Sequence, residues 1–343
     1  MNNLFVLHTQ YNLILALGLI VTEFSIDNND LILFGDFNLT HELERKIREK
    51  FDRCLLLEGN FPKKELNVKH KYQKLVQDNK SIRKFLNRPY NRVFVVDDMC
   101  IQEMYVMKCA LNKNHNVEMA WLEDGSNAYF DNGVVSTGMG ATTLKRCIRK
   151  MFFSLRFGLG EGYDLGACMG SHKLLRKAYF TFPESAREEL KDKEKCHITQ
   201  EAFEQGMKEM YGGNIYPFEE KSILIAMDKI EVYGDLKSNV NELISYEVKQ
   251  AEKEGIKVYY KYHPRETEEL PALKQATQLD RMIAFESYLI NSEVKTLHII
   301  GIKSTALQTA KKLGYKTTSL IKHVDNQNTN VVDFYIRIGI ECR

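Results

Sequence analysis

Proline and glycine are scarce in this chain, at 6 and 20 of 343 residues. Fibrous and linker-dominated architectures are excluded by that alone. An excess of one charge is also lacking: Lys plus Arg is 48 and Asp plus Glu is 46, a net +2. A globally basic nucleic-acid binder would be far more lopsided, so that class is set aside. The seven cysteines, Cys54, Cys100, Cys109, Cys147, Cys168, Cys196 and Cys342, include no CxxC pair. An odd count at wide spacing argues against a disulfide framework and a cysteine zinc site, and points to a reducing compartment. No run of about 18 apolar residues exists that would span a membrane. The opening MNNLFVLHTQYNLILALGLIV has no basic leader, and His8, Thr9, Gln10 and Asn12 interrupt its apolar run. It reads as strand, loop and helix rather than as a signal peptide. The expected location is the cytoplasm, with contact at the inner face of the cytoplasmic membrane left open.

What is present is a chain long enough for two domains of roughly 170 residues each. Hydrophobic residues make up 44% and charged residues 27%, enough apolar side chain for a sizeable core. Short apolar runs alternate with longer helical patterns. Strands are expected at Leu4–Leu7, Leu31–Phe34, Cys54–Leu57, Arg92–Val96 and Val117–Leu122. Helices are expected at Tyr11–Thr22, His41–Phe51, Lys69–Leu86 and Ile101–Leu111. Residues 126–141 read as a Gly-, Ser- and Asn-rich loop, 142–157 as a basic apolar helix, and 183–210 as a charged, solvated helical region. The alternation then resumes with strands Ser222–Met227, Val258–Tyr262 and Thr296–Ile300. Helices there are expected at Asn239–Glu254, Asp280–Ile290 and Ser304–Leu313. Such alternation signals parallel βα units. The expected fold is α/β: two Rossmann-like, doubly wound domains, 1–215 and 216–343, facing across a cleft, with ligands at the carboxyl ends of the strands.

Three polar spots directly follow expected strands. In Glu123-Asp124-Gly125-Ser126, two carboxylates close an apolar strand and a glycine permits a sharp turn. A carboxylate there can act as a general base, although Asp-Gly by itself is also a plain turn signal. In Lys261-Tyr262-His263-Pro264-Arg265, a histidine sits in a positive setting, and Pro264 restricts the backbone at His263 to extended geometry. Histidine suits an acid near neutral pH; Lys261 and Arg265 also fit a solvated surface pair. In Gly301-Ile302-Lys303-Ser304-Thr305, a strand runs into a helix whose first turn holds no acidic residue. Its N–H groups can receive an anion, with Ser304 and Thr305 adding hydroxyls, while Ser304 is equally an ordinary N-cap. The segment is not a GxxxxGK[ST] loop, so a P-loop nucleotidase is unsupported. A base on one domain, with an acid and a phosphate site on the other, is what an inverting sugar transferase would use. One phosphate site without an acidic metal cage suggests a donor whose charge is met by protein groups alone.

The order Glu123-Asp124-Gly125, His263-Pro264, Ser304-Thr305 resembles the bacterial sialyltransferases of the GT-B type. The opening Leu4-Phe5-Val6-Leu7-His8-Thr9-Gln10-Tyr11-Asn12-Leu13 resembles the start of glycosyltransferase family 52, although Gln10 stands where those proteins often carry proline. The polysialyltransferases of family 38 share the three-motif order and are the nearest rival. The resemblance implies inverting, metal-independent transfer of sialic acid from CMP-sialic acid to a cell-surface glycan, a lipooligosaccharide or capsule with a galactose terminus. It implies no cofactor. It assigns the base to Glu123 or Asp124, with Glu123 favoured, the acid to His263, and the donor phosphate to Ser304 and Thr305. Lys261, Pro264, Arg265 and Gly301 then fall on the donor side. Glu286 is a candidate for the ribose hydroxyls or else a plain helix-surface glutamate. His8, Thr9, Gln10, Asn12, Gly125 and Ser126 are expected acceptor or sugar contacts. Two alternatives stand beside this: a transferase for another CMP-activated nonulosonic acid or Kdo, and a catalytically silent glycan- or nucleotide-binding protein.

One feature needs no family. From Asn132 to Gly160 no acidic residue occurs, while Lys145, Arg146, Arg149, Lys150 and Arg156 interleave with Leu144, Ile148, Met151, Phe152, Phe153 and Leu155. Such a helix can lie on an anionic membrane surface, dock an anionic glycan, or pack between elements with its basic groups snorkelling.

Overall fold

The computed structural model describes residues 1–343 apart from 60–66, 131–142, 165, 167, 214, 265 and 325–328; of 143–147, 161 and 232 it describes the backbone alone. The chain divides into two compact units, Met1–Met210 and Tyr211–Arg343.

The first unit alternates strand and helix: β1 (Asn2–Leu7), α1 (Gln10–Thr22), β2 (Asn28–Phe34), α2 (His41–Lys50), β3 (Arg53–Leu57), α3 (Val68–Phe85), β4 (Arg92–Val95), α4 (Ile101–Lys113) and β5 (Glu118–Leu122). After α5 (Thr143–Phe157) come β6 (Lys177–Phe180), β7 (Glu194–His197) and α6 (Gln200–Tyr211). Among the described residues the strands form one parallel sheet in the order β3-β2-β1-β4-β5-β6-β7. Leu4 to Leu7 are fully buried, as a central parallel strand covered on both faces must be. Helix α1 is buried from Asn12 to Ile20. Its N-cap Thr9 accepts the Asn12 N–H while the Asn12 side chain accepts the Thr9 N–H, a reciprocal cap. α1 and α6 touch backbone to backbone: a Cβ on Gly206 would lie 2.0 Å from the Ile14 carbonyl oxygen, and one on Gly18 2.1 Å from that of Ala202.

The second unit contains β8 (Ser222–Ala226), α7 (Lys237–Lys253), β9 (Lys257–Lys261), β10 (Thr277–Gln278), α8 (Phe285–Ile290), β11 (His298–Gly301), α9 (Thr305–Lys312), β12 (Lys316–Ser319), α10 (Ile321–Val324), α11 (Thr329–Arg337) and β13 (Glu341–Cys342). Its sheet is again parallel, in the order β10-β9-β8-β11-β12-β13. Strand order reverses between β1 and β4 in the first sheet and between β8 and β11 in the second. Those two reversals mark the crevices where such sheets take ligands.

Two expectations are corrected. Residues 183–210 are not one solvated helical face. They hold β7, an edge strand with Glu194, Lys195 and His197 exposed, and α6, which buries Ala202, Phe203, Gly206, Met207 and Met210. The helix expected over Asp280–Ile290 is confined to Phe285–Ile290. The Asp280 carboxylate accepts the Met282 N–H at 2.8 Å, closing a turn that competes with the helix.

Candidate functional site

In the first unit the polar groups after β1, β2, β4 and β5 gather around the β1/β4 reversal. Glu123 follows β5 and is wholly buried. One of its oxygens accepts from the Tyr11 hydroxyl and from Thr181 Oγ1 at 2.8 Å; the other accepts from the Tyr129 hydroxyl and the Thr181 N–H at 2.9 Å. Burial pushes its pKa up, against those hydrogen bonds. Asp124 is part-exposed, and its Oδ1 accepts from Asn12 Nδ2 at 3.3 Å. Gly125 takes the left-handed φ of 58° that turns the chain there. Ser126 follows in a short 3-10 turn, its carbonyl accepting the Tyr129 N–H at 3.0 Å. The sequence favours Glu123 as the base. In the structure Glu123 has no exposed surface and four donors upon it, whereas Asp124 is part-exposed.

His8 follows β1 and lies between two carboxylates, Nδ1 to Asp36 and Nε2 to Glu103, each at 2.8 Å, with its ring stacked on Phe34. Burial opposes its charge, but the two hydrogen bonds together with the charges of Glu103 and Asp97 outweigh it and raise its pKa to about 10. Glu103 is itself buried and accepts the N–H groups of Val96 and Asp97. Thus Thr9 and Asn12 cap a helix, His8 is a paired cation, and Gln10 begins α1 half-exposed. Asp97 lies near both His8 and Asp124; burial raises its pKa, which His8 opposes and Asp124 reinforces.

In the second unit β8, β9 and β11 converge at their carboxyl ends. Asp228, two residues past β8, accepts the Tyr233 hydroxyl at 2.6 Å and the Lys303 N–H at 3.1 Å. Burial raises its pKa, while the charges of Lys303 and His263 oppose the rise. His263 is exposed, as is Pro264; Arg265 lies outside the described residues. Ser304 is the N-cap of α9 and accepts the Ala306 N–H at 3.3 Å; Thr305 is exposed in its first turn, which has no acidic residue. Gly301 is buried, and a Cβ there would lie 2.9 Å from the Ala226 carbonyl oxygen. Lys261 is buried instead of solvated, its Nζ donating to the Tyr262 and Arg281 carbonyls at 3.3 Å. Burial lowers its pKa, with Glu286 and Asp280 opposing, and burial raises that of Glu286, with Lys261 opposing. Glu286 is half-buried at the start of α8. Among the described residues no group of three or more His, Cys, Asp or Glu could hold a metal ion.

A model of the alpha-2,8-polysialyltransferase family matches residues 3–322. The chain belongs to that family. Of the two families the sequence resembles, the match thus falls on the polysialyltransferases. UDP-GlcNAc 2-epimerase from Methanocaldococcus jannaschii is similar in structure, with TM-score 0.58 and 12% identity over 100% of this chain and 89% of that one. The same epimerase in complex with UDP-GlcNAc and UDP gives 0.50 and 12%, over 100% and 88%. Arabidopsis thaliana UGT89C1 gives 0.51 and 9%, over 99% and 84%. At such identities the likeness shows the fold, which is GT-B. No curated protein matches the chain. This polysialyltransferase-family chain is a glycosyltransferase. Sequence reasoning overlooked Asp228, although the same strand-end rule reaches it, and overlooked Tyr11, Tyr129 and Thr181, which carry no local signal.

Proposed function

We propose that this family member transfers sialic acid from CMP-sialic acid to a glycan hydroxyl, with inversion and without a metal ion. The observation that carries the reading is the polysialyltransferase match across residues 3–322. It also favours an acceptor already ending in sialic acid over a galactose-terminated one. A nucleotide-sugar donor fits the similar epimerase solved with UDP-GlcNAc and UDP.

In this reading Asp124 takes the proton of the acceptor hydroxyl. The freed oxygen attacks the anomeric carbon, the bond to the phosphate oxygen breaks, and CMP departs with the bonding pair. His263 gives a proton to the departing phosphate, and Ser304, Thr305 and the α9 N-terminus meet its remaining charge. Glu123 holds the Asp124 turn through Tyr11, Tyr129 and Thr181. Asp228 is a positioning residue: it holds the Lys303 N–H ahead of α9 and places a carboxylate in the field of His263. Lys261 and Glu286 form the floor beneath the donor.

The test is CMP release from a panel of CMP-sugars, with oligosialic and galactose-terminated acceptors, with and without EDTA. CMP-sialic acid with the oligosialic acceptor is expected to be turned over undiminished by EDTA. Release from none of the donors would reduce the protein to a binding module, and loss on chelation restored by magnesium would overturn metal independence.

A further inference from the structure

We propose that α3 and α5 together form a face that seats the protein on an anionic membrane surface. Four large apolar side chains of α5 stand in water: Leu155 is 80% exposed, Met151 60%, Ile148 53% and Phe152 47%. Their spacing of three, four and seven residues puts them in one stripe along the helix. The stripe is not the face by which α5 holds to its unit. That face carries Phe153 and Phe157, which reach Tyr163 and Tyr105 at ring distances of 6.2 and 6.5 Å. Other exposed large apolar side chains of the described residues, such as Ile26, Met282 and Ile336, are scattered singly along the chain. A stripe of four on one helix face is the kind of patch that marks an interaction site.

Charge says what covers it. Helix α5 has no acidic residue; flanking the stripe it carries Arg149 and Arg156. The start of α3 lies alongside, because Arg156 Nε donates to the Tyr72 hydroxyl at 2.6 Å and the Tyr72 ring sits 6.2 Å from that of Phe152. That start exposes Val68 (85%), Lys69 and Lys71. Over its length α3 has six Lys or Arg and a single acidic residue, Asp78, which Lys74 engages. An apolar stripe bordered by cations on two adjacent helices matches the interfacial region of an anionic bilayer, apolar below and negative at the headgroups. A soluble polyanion would pair with the cations and leave the stripe in water. A second copy would bring the same positive charge against itself.

The experiment is co-sedimentation of the full chain with vesicles of equal parts phosphatidylcholine and phosphatidylglycerol, against phosphatidylcholine alone. Binding is expected on the anionic vesicles, much weaker on the neutral ones, and falling with added salt. Lys69→Gln and Lys71→Gln should each lower partitioning about fivefold. Met151→Ser with Leu155→Ser should lower it further, with the melting temperature unchanged because both side chains are exposed. Equal binding to both vesicles overturns the proposal. So does a serine variant that binds like wild type while heparin competes, which would make the face a polyanion site. A dimer in sedimentation equilibrium that the serine substitutions dissociate would assign the stripe to a second copy instead. None of these readouts depends on which sugar, if any, the protein transfers.

Discussion

Glu123 and Asp124 are neighbours at the end of β5, and extended backbone sends their side chains in opposite directions. Glu123 turns inward to four donors; Asp124 turns to Asn12 and solvent. The amide at each position therefore has a different expected effect. Asp124→Asn should lower turnover by roughly 10²–10⁴-fold, the share of a general base, with melting unchanged. Glu123→Gln places an NH2 among donors and leaves at least one unmatched, costing about 1–3 kcal/mol of stability. Thermal melting beside initial rates checks both, and a fully active Asp124→Asn would remove the base. A second expectation concerns Asp228. Asn keeps an oxygen for the Tyr233 hydroxyl and the Lys303 N–H, so Asp228→Asn should fold normally. Besides Tyr233 and Lys303, the groups facing this carboxylate are His263 and Tyr335. Loss of its negative charge should weaken the hold of His263 on its proton, moving the alkaline limb of the rate profile to lower pH. An unshifted limb would make Asp228 a loop anchor alone.

The elements legible in the sequence are those with strong apolar runs or clear helical periodicity. β1, β2, β8 and the buried α1 are of this kind, and the parallel class follows from their alternation. The strands overlooked, β6, β7, β10, β12 and β13, are two to four residues long and, β6 apart, are at least half polar. Their strand character comes from a neighbour already in the sheet, not from their own pattern. The site was legible to the same depth. The three motifs do follow β5, β9 and β11, but which carboxylate is accessible depends on Tyr129 and Thr181, which no spacing rule joins to Glu123. The closeness of α1 and α6 was likewise hidden, because it rests on Gly206 having no side chain. Gly206→Ala gains helix propensity of about 1 kcal/mol, yet its methyl would sit 2.0 Å from the Ile14 carbonyl oxygen. The clash should win, with a net loss of roughly 1–3 kcal/mol. A melting temperature at or above that of wild type would show that the helices are not in contact there.

At the scale of the whole molecule the formal charge nearly cancels, but the first unit concentrates ionisable groups under its β1/β4 reversal. His8 holds its proton more tightly folded than unfolded, with a pKa raised from 6.5 to about 10. Its stabilising contribution is complete below pH 6.5 and is lost as pH rises through about 10. Asp98 also favours its protonated form: burial raises its pKa from 3.8 to about 7, against hydrogen bonds from the Gly170 and His172 N–H groups. The cost of its charge is absent below about pH 4, grows as pH rises from 3.8 to about 7, and is constant above that. In both cases the native state binds the extra proton, so both slopes run the same way. Asp98 has given up its share by about pH 7, so from about pH 7 to about pH 10 the melting temperature should fall through His8, a range over which a protein with ordinary surface carboxylates and histidines stays nearly level. His8→Gln can donate to one of the two carboxylates through its NH2 but cannot carry the charge between them. It should lower the melting temperature markedly at pH 6 and much less at pH 10, since the wild-type imidazolium is then largely discharged. Equal losses at the two pH values would mean that His8 acts by packing on Phe34 and not by its charge.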